Sequence, residues 1–233
     1  DIVYGELGRF PLQITAIIKC IKYWFRLLNQ SEDRYSKKAY NMLLAMHQKG
    51  HVTWVTQIKN ILCENGFEQV WLFGCGNVNG FMKELRERLQ SNFCLHWRNH
   101  LDSSSRLSMY GKLKHMFEIE KYVYVLYVDI YRNLFAQFRM GVSQINMHKH
   151  RFSPTVENTA CPVCLNTQED EIHFLFVCPL YKQIRLQYNL TVAADDNLDD
   201  KLFNMLASKS QGTIVNLAKF LVAAFKLRQT VIL

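Results

Sequence analysis

Apolar residues recur along most of this chain at steps of three and four. Over 12–28 they fall at Ile14, Ile17, Ile18, Ile21, Phe25 and Leu28, the stripe of an amphipathic helix, with Lys19, Lys22 and Arg26 on the other face. Pro11 stands just before it, where a helix start tolerates proline. Ser31 is placed to cap a second helix over 32–48, closed by Gly50. A third is expected over 52–64, stopping at Asn65 and Gly66. The stretch 67–80 is rich in Gly and Asn around Trp71 and Phe73 and reads as a loop with one helical turn. Met42, Met46 and Trp54 are expected in the core.

A long helix follows over 78–100, with Phe81, Leu85, Leu89, Phe93 and Trp97 every fourth residue. Asp102 and the three serines after it break the pattern, and a short helix is expected over 106–117. The segment 122–139 opens with alternating Tyr and Val, a strand-like run, then takes up a helical period at Ile130, Leu134, Phe135 and Phe138. Helix throughout is the better reading, because a strand needs a partner and the chain offers few. A turn and basic patch over 139–150 come next; Pro179 then opens a helix to 188, and the acidic run 195–200 suits the start of a short helix over 198–207. A last amphipathic helix spans 213–231. The chain therefore reads as mostly α: a helical basic region over 1–150, a small module bearing cysteines and histidine over 151–190 and C-terminal helices over 191–233.

Composition sharpens this picture. At 233 residues, 49% hydrophobic and 13% aromatic, the chain has enough apolar matter to bury a core, which excludes a disordered tract. Lys and Arg number 28 against 20 Asp and Glu, a net charge of +8 that suits an acidic partner, above all nucleic acid. No basic leader with an apolar segment opens the sequence, and no apolar run is long enough to span a bilayer, so no membrane association is expected. Residue 1 is Asp rather than Met, as in a fragment or a processed product. Seven cysteines, an odd number without a secretory signal, disfavour a disulfide framework; they point to reduced thiols and an intracellular site, nucleus or cytoplasm. Cys20, Cys63, Cys75 and Cys94 sit among apolar residues and read as small hydrophobes.

The other three cysteines carry chemistry. Cys161 and Cys164 lie two residues apart around Pro162; His173 follows after eight residues and Cys178 after four more. A tight turn lets the first pair face one ion, and a helical turn and its exit bring the second pair. Three thiolates and one imidazole suit zinc far better than magnesium or calcium, and four protein ligands leave no position for a reactive water. The expected cofactor is thus a structural zinc. Glu169, Asp170 and Glu171 read as a solvated acidic turn rather than a general base.

The spacing C-x2-C-x8-H-x4-C, in its context from Cys161 to Tyr181, resembles the C-terminal zinc knuckle of non-LTR (LINE-type) retrotransposon reverse transcriptases. It fits less well to the retroviral knuckle, whose gap before the histidine is shorter. Two more pieces carry the likeness. The segment 5–12, with Gly5, Glu6, Gly8, Arg9 and Pro11, resembles the stretch just after the polymerase core in those polyproteins. The stretch 134–141, with Arg139 and Gly141 and then His150 and Arg151, resembles the arginine-bearing segment before the knuckle. The resemblance implies a noncatalytic region that binds RNA or DNA and associates with a polymerase region. Polymerase chemistry needs paired aspartates for two metals. The nearest string, Tyr127 to Ile130, holds only Asp129, which reads as a partly buried helix residue, and no endonuclease constellation is present, so the chain is not expected to be an enzyme.

Between residues 78 and 152 there are twelve Lys and Arg against six Asp and Glu, ending in a basic run at Lys149 and Arg151. Arg139, Lys149, Arg151, Lys182 and Arg185 are the candidate phosphate contacts, and Tyr181 the candidate for stacking on an unpaired base, ahead of Phe152, Phe174 and Phe176. The rival reading is a helical scaffold stapled by zinc, with an incidental basic face, that packs on a protein partner.

Overall fold

The computed structural model describes residues 2–153, 159–193 and 195–232. Among them there are helices and no strand; one isolated antiparallel bridge joins Ala160 and Gln168. Among the described residues no helix is long and apolar enough to cross a membrane. The chain opens on α1 (Ile2–Leu7) and then separates into two compact units, Phe10–Trp97 and Asp1–Arg9 with Arg98–Leu233.

The Phe10–Trp97 unit holds α2 (Leu12–Leu28), α3 (Tyr35–Gln48), α4 (Trp54–Glu64), α5 (Glu68–Phe73) and most of α6 (Val78–Ser103). The apolar stripe of α2 goes inward: Ile14, Ile18, Ile21, Trp24 and Phe25 are buried with Val55, Ile58 and Leu62 of α4 and Phe81, Leu85 and Leu89 of α6. The Trp24 indole donates to the Tyr40 hydroxyl at 3.2 Å, so the polar end of each ring is satisfied inside the core. Helix α3 starts three residues later than the sequence suggests, because Arg34 N–H bonds back to Ser31 C=O (3.2 Å) and closes a turn there. Helix α4 starts at a capping box: the Thr53 N–H donates to Thr56 Oγ1 at 3.0 Å, and the Thr53 side chain takes the amide three residues on. Met42 and Met46 do not join the core. Tyr40, Leu43, Leu44 and His47 face inward from α3, and the two methionines fall on the opposite side of the 3.6-residue turn, exposed.

The other unit holds α7 (Ser108–Leu113), α8 (Lys121–Val125), α9 (Asp129–Arg139), α10 (Asn146–Phe152), α11 (Lys182–Gln187), α12 (Leu198–Leu206) and α13 (Gln211–Ile232), with α1 and the end of α6. The expected continuous helix over 122–139 is broken at Leu126, Tyr127 and Val128, where Leu126 and Val128 are extended. The Leu126 carbonyl, left free by the break, accepts from Arg132 at 3.2 Å. Asp129 then sits exposed in the first turn of α9, paired with Arg132, and is not the partly buried residue expected. The region 139–150, read as a turn, gives rise to α10.

These boundaries differ from the three parts read from the sequence. The first division falls within α6, and the metal-binding segment is not a separate module. Phe174 packs with Phe225 of α13 (ring centroids 4.8 Å) and with Tyr181 (4.7 Å), in a single cluster that also contains Phe135 and Phe138 of α9 and Leu202 of α12. Residues 154–158, inside the expected 151–190 module, lie outside the described residues.

A buried charge cluster ties α1 into this unit. Arg139, 1% exposed, pairs with Glu6 at 3.3 Å and Glu120 at 3.2 Å, and donates to the Leu206 carbonyl. Lys114, also 1% exposed, pairs with Glu120 and donates to Glu118 C=O at 2.6 Å. Thus the segments 5–12 and 134–141 meet in one ion pair. After α1 the chain turns at Gly8, whose φ is +56°; a Cβ there would lie 2.5 Å from Ile119 N and 2.8 Å from Glu118 C. Gly8→Ala is expected to cost about 1–3 kcal/mol. A lowered urea midpoint would show it; an unchanged midpoint would mean that the backbone at Ile119 yields freely.

Candidate metal centre

Two local structures bring the four ligand side chains together. The first is a narrow hairpin. Cys161 N–H donates to Thr167 C=O (2.7 Å), Glu169 N–H to Thr159 C=O (2.8 Å) and Leu165 N–H to Cys161 C=O (2.9 Å). Leu165 takes a φ of +58° to close the turn, which folds Cys161 and Cys164 toward one point. The second is a helical turn capped by Asp170, whose carboxylate accepts from His173 N–H at 2.7 Å. It widens to a π turn over His173–Val177, closed by Cys178 N–H on His173 C=O at 2.8 Å. In an α-helix, residues five apart point about 140° apart. The wider i→i+5 turn holds His173 and Cys178 at the two ends of a single hydrogen-bonded ring.

The ligand atoms of Cys161, Cys164, His173 and Cys178 all lie within 4.8 Å of one another, so the four can hold a metal ion. The Cys178 sulfur is 3.9 Å from those of both Cys161 and Cys164. A tetrahedral ion with metal–sulfur bonds of about 2.3 Å sets its sulfurs about 3.8 Å apart, so the spacing fits. The imidazole gives an independent test. His173 is 4% exposed, and among the described residues neither ring nitrogen has a hydrogen-bond partner. A buried polar group left in that state costs about 1–3 kcal/mol, which coordination relieves. Burial lowers the His173 pKa, favouring the neutral, ligating ring, despite Asp170 and Glu169 nearby. Burial raises the Cys164 thiol and pushes Cys178 up to about 12, with the Leu180 amide opposing at Cys178. A metal entering this site at neutral pH must therefore displace protons from sulfur.

The acidic triplet beside the ligands is not a solvated turn. Glu169 is 1% exposed and forms a two-pronged pair with Arg228 of α13 (2.8 and 2.6 Å), while also accepting from Asn146 N–H at 2.8 Å. Glu171 accepts from His148 Nε2 and from Arg151, each at 2.8 Å. Burial alone would raise the Glu171 carboxyl; the His148 hydrogen bond and the neighbouring charges outweigh it and hold the pKa at about 2. Burial also lowers the His148 pKa, more than Glu171 raises it. The line Ser143, His148, Glu171 has the composition of a nucleophile relay, with Ser143 Oγ 2.7 Å from His148 Nδ1. Ser143 is only 3% exposed, however, and its own N–H donates to the same nitrogen at 3.0 Å, so the line fastens α10 to the metal-binding segment.

The nucleic-acid candidates separate by burial. Arg139 is interior and paired. Tyr181 is 1% exposed and packs against Phe174 and Phe220, so no ring face is open to a base. Arg185 is buried and donates to Cys178 C=O at 2.7 Å. Arg151 is partly buried on Glu171, Lys149 is half-buried and Lys182 is exposed. Phe174 and Phe176 pack around the ligands, and Phe152 is exposed. Sequence reading missed the roles of Arg228, Glu6 and His148, whose partners lie far away in the chain. Against family models, curated proteins and solved structures, the chain matches none.

Proposed function

We propose that this chain is a noncatalytic, zinc-dependent nucleic-acid-binding region of the kind found after the polymerase in LINE-type reverse transcriptases. The observation that carries the reading is the Cys161, Cys164, His173, Cys178 tetrad, with its C-x2-C-x8-H-x4-C spacing and tetrahedral sulfur separations. Bound zinc supplies a cross-link between the hairpin and the π turn. The chain's own residues do the rest: Asp170 caps the turn, Glu169 and Arg228 fasten it to α13, and Phe174 seats it in the core. A site with four protein ligands has no open position for catalysis.

Under this reading phosphate contacts come from the residues left at the surface: Lys182, Lys149 and Arg151 near the centre, and Lys19, Lys22 and Arg26 on the outer face of α2. The net charge of +8 supports it. The test is binding of labelled single-stranded RNA and duplex DNA between about 50 and 200 mM salt. Affinity is expected to fall steeply with salt, and replacing Lys149 and Lys182 by Gln is expected to reduce the log–log slope by about one per residue. No complex at low salt would sink the reading. A second reading, a zinc-stapled scaffold for a protein partner, draws its support from the burial of Arg139, Tyr181 and Arg185.

A further inference from the structure

We infer that Arg185 is the counter-charge of the metal centre, and that it sets how tightly the three-cysteine site holds a divalent ion. This rests on the reading of the tetrad as a metal site. The charge count motivates it. Three thiolates and a neutral imidazole around a divalent cation leave one net negative charge, and the ligands are mostly buried: Cys161 is 1% exposed, Cys178 0% and His173 4%. An uncompensated charge in such surroundings is costly.

Most of the buried cations of this unit are already matched. Arg139 and Lys114 serve Glu6 and Glu120, and Arg228 serves Glu169. Arg185 is different. It is 8% exposed, and among the described residues no carboxylate pairs with it. Its Nη2 donates to the Cys178 carbonyl at 2.7 Å, and its buried Nη1 has no partner among the described residues. A guanidinium carries five donors and cannot shed its charge to escape burial. Its position seven residues past Cys178, on α11, brings it within Coulombic reach of the Cys178 sulfur. A buried cation with a spare donor beside Cys178 is matched once the three cysteines are thiolates on a metal. Arg185 is thus a positioning residue: it touches the ligand's backbone and balances the centre's charge.

The test separates charge from hydrogen bonding. Zinc affinity is measured by chelator competition for the full chain and for Arg185→Met, Arg185→Gln and Arg185→Lys, with the absorption of the cobalt(II) form reporting that a tetrahedral thiolate site has assembled. Loss of about 10- to 100-fold in affinity is expected for both Met and Gln, with recovery in Lys. A second comparison places Arg185→Met on Cys164→His, which makes the centre Cys2His2 and formally neutral. There the loss should largely vanish. Rescue by Gln, or an equal loss in the two backgrounds to within about twofold, would overturn the inference and leave Arg185 a structural donor to Cys178. In either of those cases the wild-type chain still binds zinc, so the metal reading survives. A wild-type chain that takes up no metal would remove both.

Discussion

Removing the metal should unfold the Asp1–Arg9 and Arg98–Leu233 unit. Structural zinc in small domains contributes on the order of 10–16 kcal/mol of apparent binding free energy. That is comparable to the whole stability of a domain, about 5–15 kcal/mol. Here the tetrad sits in the same cluster as Phe135, Phe138, Phe220 and Phe225, so the loss cannot stay local. Without the ion, His173 is a buried ring with two unmatched nitrogens, and the cross-link from the hairpin cysteines to the π turn is lost. Chelation is expected to abolish the thermal transition of this unit in calorimetry and to collapse its amide-exchange protection. Readdition should restore both, with release of about three protons per ion at neutral pH. Superimposable melts with and without chelator would refute a structural role for the tetrad.

The second large effect is expected at Arg139. Arg139→Met leaves the Glu6 and Glu120 carboxylates facing each other in the interior, with Lys114 as the remaining cation. Breaking a buried pair from one side costs about 3–5 kcal/mol, and the Leu206 carbonyl also loses its donor. Urea denaturation should show the loss, and adding Glu6→Leu should recover part of it, since a buried pair replaced on both sides by apolar groups is often neutral. Nucleic-acid affinity per folded molecule should not change. A drop in affinity without a drop in stability would mean that this arginine is reached by phosphate after all.

What the sequence disclosed and what it hid divide along one physical line. Helix α2 and the tetrad were legible because their information is local: one is a repeat over 17 residues, the other a set of spacings within one short segment. The burial of Arg139 was not legible, because its partner Glu6 lies 133 positions away. The same holds for Glu169, matched by Arg228 at a separation of 59. A run of carboxylates looks like surface until the cation that neutralises it is brought from elsewhere. Met42 and Met46 failed for a related reason: α3 is polar enough that its inward face had to be chosen by neighbours, and Tyr40 took it. The break at Leu126 was hidden because Tyr and Val are compatible with either conformation, and the helix ends where Arg132 claims a carbonyl. The basic run pointed to Arg139 as a phosphate contact; its burial against Glu6 and Glu120 does not fit that role.

The π turn at His173–Val177 has a further consequence for how this segment can drift over generations. The hydrogen bond from Cys178 to His173 spans a fixed number of peptide units, and both residues at its ends are ligands. Within the loop, Phe174, Leu175 and Phe176 answer only to the volume of the core, and one apolar side chain can replace another at modest cost. The count of residues has no such latitude. Gaining one would carry Cys178 about a further 100° round the axis, away from the other sulfurs. The segment is a gauge: its letters can change, but its length is read off by the ion.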